Sequence, residues 1–209
     1  FFFKQKTADE IRLSLVGSEM CIRDRIQIAL PGWVAGLVDP DRHYSSDSER
    51  VEVAVRLAAE NTRHGTGGPF GAAIFESESG RLVGVGVNLV TTRMNCTLHA
   101  EMVAFMVAQA RVGSHTLDLP DGPAHDLATS CDPCAMCLGG VLWSGVRRVL
   151  SAASREDALS LGFDEGPVFP ESIAYLEARG IEFVRGLHRE EARVAMARYM
   201  ADGGPVYNG

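Results

Sequence analysis

LHAEMV at residues 98–103 and DPCAMCL at residues 132–138 decide how this chain is read, because they bring one imidazole, two thiols and a carboxylate into two short stretches. Such a set serves a structural zinc, a redox dithiol or a site that does chemistry. Glu101 is the discriminating residue. A structural zinc takes four ligands and gains nothing from a spare acid, whereas a catalytic zinc needs an open position and a proton carrier. Cys134 and Cys137 are spaced i, i+3, so they share one helix face, and a first helical turn favours thiolates through its exposed N–H groups and dipole. His99, Cys134 and Cys137 as ligands leave the fourth tetrahedral position for water. Glu101 follows His99 by two residues and so does not share its face, yet both side chains lean toward the helix start. The acid therefore reaches the water without ligating the metal.

The flanking sequence supplies the scaffold. LHAEMVAFMVAQARVG (98–113) is rich in strong helix formers and stopped by Gly113. Asp132 reads as the cap of the next helix, with Pro133 at its first position. Upstream, Ser46 to Ser48 offer caps for a helix in which Val51, Val55 and Ala58 recur at helical spacing, ending near Gly65. GAAIFE (71–76) and RLVGVGVN (81–88), joined by SESG, read as a hairpin. HDLATSC, RRVLSAAS and IEFVRGLH read as strands, and REDALSLG, PESIAYLEARG and REEARVAMARYMADGG as helices. Helices alternating with strands behind a leading hairpin imply a three-layer α/β/α sandwich.

Composition bounds the function. The chain has 209 residues, 46% hydrophobic and 22% charged, with a formal charge of −7. Its longest basic cluster is the pair Arg147–Arg148, which argues against a phosphate-binding face and for a small-molecule partner. Three of the five cysteines fall within residues 131–137, a spacing that suits metal ligation in a reducing, cytoplasmic setting better than a disulfide framework. No apolar run reaches the roughly 18 residues needed to span a bilayer. Residues 1–25, without an initiating Met, resemble translated sequencing adaptor and read as a non-native extension, followed by a lead-in over 26–47 and the functional domain over 48–209.

An H-x-E followed downstream by P-C-x-x-C is the signature of zinc deaminases, and HAE with PCAMC matches it. From about residue 48 to its end the chain resembles the cytidine deaminase-like superfamily. GGPFGAAI, VNLVTT, TSCDPCAMCLGG and LGFDE are most similar to its bacterial guanine deaminase branch. The resemblance implies a central mixed five-stranded sheet, one Zn2+ per chain and a homodimer. It also implies hydrolysis of guanine to xanthine and ammonia, with Glu101 moving the proton. It gives Asn88, eleven residues before the zinc His, the task of binding substrate together with the N–H of Ala100. Phe70 and Trp143 are expected to flank a flat ring. Tyr207 is expected to fold over the site with the tail, and Glu165 of the GFD segment to face the substrate as a second acid. Cytosine, a purine nucleoside, an aminotriazine and tRNA adenosine are the rival substrates, and a non-catalytic zinc-stabilised interaction domain is the rival class.

The remaining candidates read more plainly. Cys131 as a fourth ligand would leave Glu101 idle, so it is excluded from the metal and assigned to packing or to supporting the ligands. Cys96 reads as packing. His43, His64, His115, His125 and His188 fall near element ends and loops and read as solvated.

Overall fold

The computed structural model describes residues 27–39 and 41–207, so the extension expected over 1–25 lies outside the described residues. A short helix α1 (Val34–Leu37) precedes α2 (Asp47–Arg63), β1 (Gly71–Glu76), β2 (Leu82–Val87), α3 (Val90–Arg93), α4 (Ala100–Val112), β3 (His125–Cys131), α5 (Ala135–Ser144), β4 (Arg148–Ala153), α6 (Arg155–Ser160), α7 (Pro170–Glu177), β5 (Glu182–Val184) and α8 (Arg189–Ala201). The strands form one sheet in the order β2-β1-β3-β4-β5. β1 pairs antiparallel with both β2 and β3, while β3–β4 and β4–β5 are parallel, which gives the expected mixed five-stranded sheet.

Both faces of the sheet are covered. Ala73, Phe75, Ala128 and Leu150 share one core with residues of α2 and α8. Ala72, Ile74, Leu127 and Val149, their neighbours in the pleat, share the other with α4, α5 and α7. Strands buried on both faces read as continuous apolar runs, as β2 does, while β3 also buries His125, Asp126, Thr129 and Ser130. α2 begins on a capping box, in which the Ser46 hydroxyl accepts from the Glu49 N–H and the Glu49 carboxylate accepts from the Ser46 N–H. Gly113, in the left-handed region, ends α4 as expected.

Three expectations need correction. The helix after β3 is capped by Cys134 and begins at Ala135; Asp132 is drawn away from capping and accepts from the Ser151 hydroxyl. His125 is buried, with Nδ1 bonded to the Leu117 carbonyl at 2.9 Å, because β3 starts one residue inside the core. Cys96 is exposed, since the turn after α3 carries it to the surface.

The register gathers the site on one edge of the sheet. Gly71 at the start of β1 pairs with Val87 at the end of β2, Ala72 pairs with Thr129 of β3, and Cys131 pairs with Ala153. Phe70, Asn88, Cys131 and Ser154 therefore all leave the sheet at the same side, outside the carboxyl ends of the parallel strands, where open α/β sheets bind ligands.

Candidate active site

Two helix N-termini converge at that edge. His99 is the N-cap residue of α4 and Cys134 that of α5, with Cys137 one turn on. His99 Nδ1 lies 3.5 Å from Cys134 Sγ and 3.7 Å from Cys137 Sγ. Tetrahedral zinc with ordinary Zn–N and Zn–S bonds sets nitrogen and sulfur about 3.6 Å apart. The donors of this triad all lie within 4.8 Å of one another, so they fit a zinc ion without rearrangement. A hydrogen bond between the Cys134 and Cys137 side chains, helped by the His99 imidazole, holds the Cys134 thiol down to about 4, and the same hydrogen bond pushes Cys137 up. A dication between them would take both as thiolates.

Phe70, Asn88, His99, Glu101, Cys131, Asp132, Cys134, Glu165 and Tyr207 line one cavity with a free volume of about 20 Å³, room for a water molecule. Glu101 and Glu165 are 7% and 6% exposed. Burial first, and then the neighbouring Cys134 sulfur, raises both carboxyls, Glu165 to about 8, against the opposing charges of His99 and Arg155. Buried acids with raised pKa values mark proton-transfer sites. The Asn88 carboxamide oxygen accepts from the Val90 N–H at 3.2 Å, and its carbonyl accepts from the Asn61 side chain at 2.8 Å, which fixes the residue at the cavity wall. Phe70, Phe163 and Tyr207 form an edge-to-face cluster, with Phe163 5.1 Å from Phe70 and 5.6 Å from Tyr207. The tail thus brings Tyr207 to the cavity wall.

Seven of the expected side chains meet in this cavity. Ala100 directs its methyl into the core and offers the site its backbone alone. Trp143 does not come to the cavity. α5 buries Cys137, Leu138 and Val141, and a residue two further on points the opposite way, leaving Trp143 78% exposed. Cys131 is buried in the wall, its thiol donating to the Ser154 carbonyl at 3.5 Å, apart from the metal triad. Asp132 was missed as a wall residue because its place before Pro133 reads as a cap.

Fold and site together define a zinc-dependent deaminase: an open metal triad with a buried acid beside it, at the carboxyl edge of the parallel strands of a mixed sheet. The chain belongs to the family of the cytidine and deoxycytidylate deaminase zinc-binding region, which it matches over residues 44–153. It is 40% identical over 130 residues to the guanine deaminase of Bacillus subtilis, across 62% of this chain and 79% of that one. A solved guanine deaminase from Nitrosomonas europaea is 38% identical with a TM-score of 0.81, covering 85% of this chain and 97% of its own. A variant enzyme crystallised with 8-azaguanine is 37% identical with a TM-score of 0.82, over 87% and 98% of the two chains. No helix among the described residues is long and apolar enough to cross a membrane.

Proposed function

We propose that the chain deaminates a free purine base, converting guanine and water into xanthine and ammonia. The observation that carries this reading is the second buried carboxylate, Glu165, facing the same cavity as Glu101. Guanine presents ring N–H donors beside the amino group under attack, and the carboxyl oxygen of Glu165 can accept from one of them. His99, Cys134 and Cys137 would hold the zinc, which when bound would supply the nucleophile by acidifying water from about 15.7 toward 7. Glu101 takes the proton released from that water and delivers it to the ring nitrogen next to the attacked carbon. The second proton, lost by the added hydroxyl as it becomes the carbonyl, is carried by Glu101 or Glu165 to the amino group, whose C–N bond breaks to release ammonia. Asn88 and the Ala100 N–H hold the polar edge of the ring, and Phe70 lies against its face. Variants of a similar enzyme solved with 8-azaguanine alter an asparagine and a glutamate as far apart in that sequence as Asn88 and Glu165 are here, which supports both assignments.

Tyr207, on the C-terminal tail, lines the cavity beside Glu101 and Glu165 and so bounds the space a purine would occupy. We assign the exposed Trp143 and the neighbouring groove of Leu138, Leu142 and Tyr175 to contact with a second copy, giving a homodimer, and place the enzyme in the cytoplasm, where thiolate ligands stay reduced. Ammonia release from guanine, cytosine, adenine, guanosine and ammeline tests the substrate. Guanine should lead; strong activity on another ring with none on guanine would overturn the assignment and leave the zinc deaminase standing.

A further inference from the structure

Glu165 sits in the irregular segment between α6 and α7, where no regular hydrogen-bond ladder holds it. Hydrogen bonds from α5, from α6 and from its own turn hold its backbone. The Ala135 N–H, in the first turn of α5, donates to the Glu165 carbonyl at 2.9 Å. One residue on, the Gly166 carbonyl accepts from Arg155 Nη2 and from the Val168 N–H, both at 2.9 Å, and the Gly166 N–H donates to Asp164 Oδ1 at 2.8 Å. Gly166 lies in the left-handed region at φ 67°, so the chain turns sharply just past the acid, and the Arg155 contact ties that turn to α6.

Arg155 is itself held. It occupies the first position of α6, whose capping box joins Ser154 to Asp157. Its Nε is buried and has no hydrogen-bond partner, while its fork reaches across to Gly166. A guanidinium drawn into the protein with one donor unmatched is an unusual choice for a helix N-terminus, where acids are favoured. The Gly166 contact accounts for its position.

We propose that Arg155 is the positioning residue for Glu165: by gripping the Gly166 carbonyl it sets the direction in which the Glu165 carboxylate enters the cavity. The inference rests on Glu165 acting on the substrate. Placing a reacting group even about 1 Å from its productive position can cost on the order of 10²-fold in rate, so loosening this turn lowers turnover without touching the metal.

The test is a double-mutant cycle on guanine deamination. Arg155→Met should lower kcat by about tenfold or more, with zinc content and melting temperature unchanged, and Arg155→Lys, which keeps a donor in reach, should recover part of the loss. In the Glu165→Gln background, Arg155→Met should change kcat by less than about twofold, because residues acting through one another are not additive. An equal loss in both backgrounds, or an unaffected kcat in Arg155→Met beside an impaired Glu165→Gln, overturns the proposal. A fully active Glu165→Gln defeats the underlying reading of Glu165, and the proposal falls with it.

Discussion

The Tyr207 hydroxyl occupies the space that a side chain on Gly68 would need: a Cβ at Gly68 would lie 2.1 Å from Tyr207 Oη. The glycine in GGPF is therefore the seat of the tail. The ring is pressed against Phe163, and the tail behind it is clasped by the Tyr199 hydroxyl, which donates to the Pro205 carbonyl at 2.8 Å. Gly68→Ala should unseat Tyr207 while sparing the ligands. The expected outcome is a fall in kcat/KM on the order of 10-fold to 10²-fold with full zinc content, matched by deletion of residues 204–209. Unchanged kcat/KM in both variants would show that the tail takes no part in closing the site.

Glu101 is placed to carry the proton, buried beside the triad and within the same cavity. Glu101→Gln removes the proton carrier and keeps the shape, so the variant should fold, hold one zinc per chain and lose about 10²-fold to 10⁴-fold in rate. X-ray absorption should find two sulfurs at the metal, and Cys131→Ser should leave zinc content intact. Turnover within about tenfold of the parent would remove Glu101 from the mechanism; three sulfurs would close the open position.

What the sequence disclosed was local. The triad was legible because Cys134 and Cys137 lie within one helical turn and His99 opens another, and the hairpin was legible because two apolar runs flank SESG. What needed the fold was contact between distant segments. Trp143 was misassigned because its place depends on which face of α5 packs inward, and burial of Cys137, Leu138 and Val141 turns it outward. His125 was read as solvated because the Leu117 carbonyl that satisfies it arrives through a loop. Arg155 gave no signal, since its partner is a backbone carbonyl.

Arg50 and Asp126 were equally silent, and the structure makes them its most buried ion pair, 3% and 0% exposed with Arg50 Nη1 2.5 Å from Asp126 Oδ2. Asp126 also accepts from Arg148 at 3.1 Å and from the Ser77 hydroxyl at 2.7 Å. Beside the apolar stripe of α2 a lone arginine reads as solvated, and only the pairing of β3 brings the acid beneath it. Removing one partner strands the other's charge inside, which costs about 3–5 kcal/mol. Asp126→Asn should therefore lower the melting temperature by roughly 6–20 °C, with kcat in the surviving folded protein unchanged because the pair lies at the far end of β3 from the site. A shift of under about 2 °C would show that the pair is replaceable.

Asp157 joins α6 to α8, accepting from Arg189 Nε at 2.7 Å and Nη2 at 3.0 Å and lying 3.3 Å from Arg193 Nε. The bond from Arg189 and the Ser154 N–H hold its carboxyl down to about 2, against about 3.9 for an unfolded aspartate. A depressed folded value means that the unfolded chain binds the proton first as the medium acidifies, so stability falls with falling pH between the two values. Above about pH 4 the carboxylate is charged in both states and its pairing contributes in full; as pH falls through about 2 the contribution disappears. Asp157→Asn should accordingly be less stable than the parent toward urea at neutral pH, by a margin that is steady down to about pH 4 and closes toward pH 2. Loss of zinc in acid burdens both proteins alike and drops out of the difference. A margin of the same size at about pH 2.5 as at pH 7 would mean that Asp157 acts through packing and capping, with no part for its charge.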